Sequence, residues 1–477
     1  MKKITRSIAA LFVVAGAMAL TSCDSFLTED LKGDYSSTNI YSNETYAQQA
    51  VNGIYASARY SINLWRFGDI TSDDAVKGGK PGDQADLDFV QDFSATAENG
   101  ALLDFWKNTY EVIARANNVL AGIEGKGFAT ETRMAGEAKF LRAYSYFQLV
   151  NIFGRVPLKL RPQNNPDDIF VGLSDTGAIY AQIEADLKAA ADVLPERYDA
   201  LNEGRATKGA ALGLLAKAQL YQQKYSEALN SINALKALGV YHLDDYANLF
   251  RLGNESSPEA IWVIRFKSDE VIKIGNPLNQ YFAPQLKENG YYFNNPTDNW
   301  VKSFTEKQVN GEDDLRIDLS IGREGHEWFE EGPFKAQWSN TGYLVKKFCQ
   351  PASEVPHSTK GDGGLSYLYL RYADVLLMEA ECYVELGQNA NALAPLNEVR
   401  QRAGLAALST ATRQAVRLER RHELGFEFHR FFDLMRWGKD AAQQALATKE
   451  GIKFSWTGDR FYFPIPQSEL DANPAIK

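Results

Sequence analysis

The densest run of ionisable side chains lies between Glu419 and Arg436. Glu419, Glu423 and Glu427 recur every four residues, and Arg430 follows three later. Steps of three and four keep side chains on one helix face, so a helix here aligns three carboxylates and a guanidinium. His422 and His429, seven apart, share a face as well. Such a row could move protons or hold a metal. The spacing speaks against zinc, because Phe426 stands where an HExxH helix would carry its second imidazole, and the chain has no CxxC pair. Glu419, Glu423, Glu427 and Arg430 are therefore read as a buried or half-buried ion-pair network between helices, with a catalytic or metal site as the rival reading.

Paired acids occur at Asp73-Asp74, Asp313-Asp314 and Glu330-Glu331. A glycosidase needs two carboxylates facing each other across a cleft, a separation that sequence does not reveal, and adjacent acids are usually solvated. No GxSxG, Walker A or GxGxxG fingerprint is present, and Gly78-Gly79-Lys80-Pro81-Gly82 reads as a loop rather than a phosphate cradle. Aromatic residues offer a different chemistry. Trp65 stands near Asp73 and Asp74, while Tyr281, Tyr291, Tyr292, Trp300, Trp328 and Trp338 crowd a later stretch with Asn294, Asn295, Asp298 and Asn299. Flat rings beside amides and carboxylates match the apolar faces and hydroxyl rims of sugars. The competing reading is that the rings form a local core. The ligand-binding candidates are Trp65, Asp73, Asp74, Tyr291, Tyr292, Trp300 and Trp328.

The N-terminus carries an address. Lys2, Lys3 and Arg6 precede an apolar run from Ile8 to Leu20, too short to span a bilayer. Leu20-Thr21-Ser22-Cys23 resembles a bacterial lipobox, which implies acylation and cleavage at Cys23. Residues 1–22 are thus read as a signal peptide and 23–43 as a lipidated tether. Removing residues 1–22 leaves 455 residues with a formal charge of −13, which excludes nucleic acid and an anionic lipid surface as main ligands. Only Cys349 and Cys382 then remain. Two cysteines cannot staple a body of this size; Cys382 reads as a buried thiol, with a Cys349–Cys382 bridge as the alternative.

The elements that position these residues read mostly as helices. Phe140/Ala143/Tyr146, Leu215/Ala218/Tyr221 and Leu377/Ala380/Tyr383 repeat one pattern: a large apolar residue, then alanine, then tyrosine at steps of three. In two cases a second helix follows, Ala228-Leu229 with Ile232-Asn233 and Ala392-Leu393 with Leu396-Asn397. These are degenerate tetratricopeptide-type hairpins, which stack because neither can bury its apolar face alone. Further helices are expected over Thr45–Tyr60, Leu102–Ile123, Ile179–Val193 and Gln414–Arg436. The stretches 61–99 and 251–364, rich in Gly, Asp and Asn, break the pattern. The second should contain short strands at Ile261–Phe266 and Tyr343–Phe348. The fold class is mainly α: a helical-hairpin scaffold over 44–250 and 365–446, an irregular, partly β excursion over 251–364, and a C-terminal segment over 447–477.

Glu419-Arg420-Arg421-His422-Glu423-Leu424-Gly425-Phe426-Glu427-Phe428 through Trp437-Gly438 resembles a signature of the SusD/RagB family, as do Leu370-Arg371-Tyr372-Ala373-Asp374 and Phe463-Pro464-Ile465-Pro466. Phe105-Trp106-Lys107-Asn108-Thr109-Tyr110 and Cys23-Asp24-Ser25-Phe26-Leu27 fit the same family. The resemblance implies an outer-membrane lipoprotein facing the cell exterior. It would capture nutrients, usually glycans, for a SusC-like TonB-dependent transporter barrel, without catalysis, cofactor or metal. A lipid-anchored glycoside hydrolase and a peptide, glycopeptide or adhesion protein are the alternatives.

Overall fold

The computed structural model describes residues 40–477 except 270, 273, 286–289, 356–360, 450–455, 457 and 477. Cys23, the signal region and most of the tether lie outside the described residues. Among the described residues, no helix is long and apolar enough to cross a membrane.

The first helix, α1 (Glu44–Ala58), starts where the Asn43 side chain accepts a hydrogen bond from the Tyr46 amide at 2.9 Å. That cap satisfies one of the donors a helix start leaves open. Its buried residues Ala47, Val51, Ile54 and Ala58 form a single stripe. Asn99 caps α2 (Gly100–Ile123) in the same way, and Thr207 caps α5 (Lys208–Tyr221). Between them lie α3 (Glu131–Phe153) and α4 (Thr176–Val193). The series continues with α6 (Tyr225–Ala237), α7 (Tyr372–Glu385), α8 (Asn389–Arg402), α9 (Arg413–Glu423), α10 (Arg430–Trp437) and α11 (Lys439–Leu446).

Successive helices pack against each other: α2 on α3, α3 on α4, α4 on α5, α5 on α6, α7 on α8. The repeated alanines Ala143, Ala218 and Ala380 are fully buried, as small residues at close helix crossings must be. α3 and α5 are buried on nearly every side because each has neighbours on both faces. The tetratricopeptide-like scaffold is thus present in the tertiary structure.

Eight short strands occur among the described residues, five of them in the irregular stretches 61–99 and 251–364. These are β1 (Ala75–Gly78), β2 (Val156–Pro157), β3 (Leu173–Ser174), β4 (Ala260–Ile264), β5 (Phe293–Pro296), β6 (Ile321–Gly322), β7 (Leu344–Val345) and β8 (Tyr367–Arg371). They form four antiparallel pairs, β1–β5, β2–β3, β4–β8 and β6–β7. In the first, Ala75 faces Pro296 and Gly78 faces Phe293. This pairing joins the stretch 61–99 to the excursion 251–364, two parts of the chain that are remote in sequence.

One expectation is corrected. Gln414–Arg436 is not a single helix: α9 ends at Glu423 and α10 begins at Arg430. Phe426 and Phe428 adopt φ of 62° and 70°, left-handed values that no α-helix continues through. Gly425 lets the Trp300 ring pack under this turn, because a Cβ there would lie 2.8 Å from that ring. Cys349 and Cys382 are buried thiols rather than a disulfide; the Cys349 thiol donates to the Val345 carbonyl at 3.3 Å.

Candidate functional site

The acidic row belongs to the interior. Arg316, fully buried, contacts Glu419 at 2.6 Å, Glu423 at 3.2 Å and Asp314 at 2.7 Å. Arg371 reaches Glu259 at 2.6 Å and Glu427 at 2.7 Å and also pairs with Glu423. Lys347 closes on Glu427 at 2.7 Å, and Arg402 pairs with Glu423. Burial pushes the Glu427 carboxyl upward, but Arg371 and Lys347 outweigh it and hold the group below the usual carboxylate range. These charges bind α9 to β8, α8 and the excursion. Arg430 does not join Glu423 and Glu427, because the chain turns between them; its partner is Asp73, at 2.7 Å.

His422 stacks on Phe304, ring centroids 3.8 Å apart, and burial beside Arg316 holds its pKa well below the ordinary value. His429 lies in a separate buried cluster with Lys217 (3.1 Å), and burial lowers its pKa to about 3. No group of three His, Cys, Asp or Glu side chains among the described residues could hold a metal ion.

Five ligand-contact expectations are corrected by burial. Trp65, Trp300 and Trp328 are at most 1% exposed. Trp300 packs between Phe304 and Phe426, with centroids 4.7 and 4.6 Å away, under the α9–α10 turn. Trp328 packs on Phe329 and Phe334 beside the β6–β7 pair. Asp73 and Asp74 are buried against Arg421 and Arg430; Arg421 reaches Asp74 at 2.7 Å. Carboxylates enclosed by two guanidiniums have no free face for a ligand.

Trp65 has a different place from the other two indoles. It is the floor under an exposed aromatic patch. Its ring lies 5.5 Å from Phe282 edge-on, 6.1 Å from Phe293 stacked, and 6.4 Å from Tyr281. Above this floor Tyr281 and Tyr291 stack at 6.0 Å with planes 29° apart. Tyr291 is 42% exposed; Tyr281 and Tyr292 are half-buried. The patch is fixed by backbone. Tyr291 and Tyr292 donate their amides to Gln280 and Ala283 carbonyls at 2.9 and 3.1 Å, and Gly79 donates to the Tyr292 carbonyl at 2.9 Å. Gly79 needs to be glycine: its φ is 76°, and a Cβ would meet the Phe293 ring at 2.4 Å.

Polar groups frame these rings. The Arg66 guanidinium lies 5.9 Å from the Trp65 ring, and its Nε is buried without a hydrogen-bond partner. Burial pushes the Tyr60 hydroxyl up to about 12, while the nearby Arg66 charge pulls it down. Tyr291 and Tyr292 are candidates from sequence, Tyr281 stands there only among the crowded rings of its stretch, and Tyr60 and Arg66 are not singled out by their sequence setting. Arg66, next to Trp65, was the available signal, but which of the two neighbours faces outward depends on contacts with residues 281–293.

Residues 258–477 match the SusD family, and residues 6–220 match a family described as starch-binding associating with outer membrane. SusD-like protein P25 of Formosa agariphila is 27% identical over 95% of each chain. A solved structure described as a laminarin binding SusD-like protein superposes with a TM-score of 0.78 at 28% identity, covering 90% of this chain and 98% of its own. A SusD superfamily protein from Bacteroides vulgatus superposes with a TM-score of 0.80 at 26% identity, covering 92% and 98%. With the hairpin scaffold, the charged α9 helix and nearly the whole chain accounted for by these matches, the protein belongs to the SusD/RagB family.

Proposed function

We propose that this protein is a cell-surface lipoprotein that binds oligo- or polysaccharide on the Tyr281–Tyr291 patch and hands it to a SusC-like transporter barrel. The patch carries the reading: two stacked tyrosines, one 42% exposed, on a rigid aromatic floor and beside the half-buried Arg66. Tyrosine suits such a site because its ring meets the apolar face of a sugar while its hydroxyl meets the rim. Arg66 supplies directional donors. A pre-formed surface loses little conformational entropy on binding. The similarity to a laminarin-binding protein and to a starch-binding family description supports carbohydrate as the ligand class.

The lipid anchor is assigned to Cys23, the signal peptide to 1–22 and the tether to 23–43, with the body facing the cell exterior. A binding role rather than hydrolysis fits the acid pairs. Asp73 and Asp74 are enclosed by arginines, and Asp314 and Asp313 turn to different partners, Arg316 and Lys307. The test is affinity electrophoresis against a polysaccharide panel that includes laminarin and starch, with product analysis of each incubation. Retardation without released sugar supports the reading. Steady release of oligosaccharides would replace it with a hydrolase, and retardation by no glycan would remove carbohydrate as the ligand class.

A further inference from the structure

A second cleft opens close to the aromatic patch. It has a volume of about 280 Å³ and lies between α1, β4 and the loop around Leu201–Arg205. Tyr55, half-buried, presents the aromatic wall, and Trp262, only 2% exposed, backs it with ring centroids 6.1 Å apart. The wall is held in place from behind. The Tyr55 hydroxyl donates to Glu137 at 2.7 Å and accepts from the Ala206 amide at 3.0 Å, while Trp262 packs on Phe140 at 4.7 Å. Arg59 and Arg205 stand at the rim. Leu201, 94% exposed, projects from the loop on the other side.

Two observations join this cleft to the patch. Arg59 lines the cleft, and the next residue, Tyr60, lies beside Arg66 and Tyr281; consecutive Cα atoms are only ~3.8 Å apart. The segment 274–281 borders both places, since the Arg59 guanidinium donates to the Ile274 carbonyl at 3.1 Å and Tyr281 is in the stacked pair. The Arg59 side chain has no acid partner among the described residues, unlike Arg205, which is committed to Glu137 at 3.0 Å. A half-buried guanidinium with free donors beside an aromatic wall has the composition of a sugar-contacting site.

We infer that the Tyr55–Trp262 cleft is a distal subsite for the same saccharide chain, occupied only by oligosaccharides long enough to pass from Tyr281 over Tyr60 to Arg59. This rests on the patch being the primary glycan site. Its consequence is a length dependence: short oligosaccharides use the patch alone, and longer ones gain contacts with Arg59 and Leu201.

Calorimetric titration of wild-type protein with laminari- and malto-oligosaccharide ladders tests it, beside Arg59→Ala, Leu201→Asp and Tyr291→Ala. Leu201 is so exposed that its replacement leaves folding unaffected, which keeps the test decisive if Arg59→Ala unfolds. The expected result is an affinity that climbs with length in the wild type. Both cleft variants should lose about five- to tenfold on the long members and nothing on the short ones. Wild-type affinity independent of length, or cleft variants that titrate like the wild type throughout, would overturn the distal subsite while leaving the patch standing. Cleft variants that lose binding at every length while Tyr291→Ala loses none would overturn both readings, making the cleft the primary site. No binding of any member of either ladder would also remove both.

Discussion

Arg430 and Asp73, 357 positions apart, meet in a two-pronged pair, with Nε to Oδ1 at 2.7 Å and Nη2 to Oδ2 at 2.8 Å. The pair ties the start of α10 to the turn that leads into β1, and β1 in turn holds β5 beneath the tyrosines. The charged side chains of the α9–α10 pair therefore brace the β1–β5 pairing under the tyrosines. Arg421 reinforces the join by reaching Asp74 and the Asn299 side chain at 2.7 and 2.6 Å.

The network around Glu427 gives the first prediction. Glu427→Ala leaves Arg371 and Lys347 without one of their acids in the interior, which should cost about 2–4 kcal/mol. Chemical denaturation of variant and wild type measures it. Unchanged stability combined with lost glycan binding would move Glu427 from the scaffold to the site.

Tyr291→Ala should behave in the opposite way. Losing one stacking ring costs about 1–3 kcal/mol of binding by analogy with base stacking, a loss of roughly 5- to 150-fold in affinity. The melting temperature should hardly move, because the ring is 42% exposed. Trp65→Ala, which removes the floor, should lower stability and affinity together. Equal loss of stability in both variants, with affinity retained, would make the patch only a local core.

Asp69 predicts a pH dependence. Burial pushes its carboxyl up to about 8, against the hydrogen bonds it accepts from Asn294 and Phe428. An unfolded Asp titrates near about 4, so between about 4 and about 8 the unfolded chain releases a proton that the folded chain keeps. This contribution to stability falls as pH rises through that window and is level above it. The difference in urea midpoint between wild type and Asp69→Asn, followed from pH 5 to pH 8.5, isolates it from the other titrating groups. A difference that stays constant with pH would show that Asp69 is ionised in the folded protein.

Gly68 marks a close approach between the 65–68 segment and the α9–α10 turn. A Cβ at this position would sit 2.1 Å from the Phe428 carbonyl oxygen, a contact between two backbones with no flexible side chain to yield. Gly68→Ala should cost about 1–3 kcal/mol, and the melting temperature reports it. A neutral outcome would mean that the α9–α10 turn can move away from residues 65–68.

Cys23→Ala tests the anchor. Labelling with a tritiated fatty acid followed by fractionation should find the wild type acylated in the outer membrane and the variant unlabelled and soluble. Label on the variant would place the acyl group elsewhere.

The sequence alone determined much of the helical scaffold, because helices such as α1 and α2 bury residues that recur at three and four positions, and α1, α2 and α5 begin at the side-chain caps Asn43, Asn99 and Thr207. It also carried the family, through the charged run of α9 and the Leu370–Asp374 segment. The helix break at 424–429 was not legible, since left-handed φ at two phenylalanines is imposed by packing against Trp300 and Gly68 rather than by any local preference. Nor was the division of the aromatics. Trp65, Trp300, Trp328, Tyr281 and Tyr291 have similar settings in sequence, all in irregular stretches among polar residues. Their burial is decided by partners elsewhere in the chain: Phe293 and Phe282 over Trp65, Phe426 over Trp300, Phe334 over Trp328. A ring's fate as floor or as platform is a property of the β1–β5 pairing and of the loops it brings together, and such long-range contacts leave no local periodicity to read.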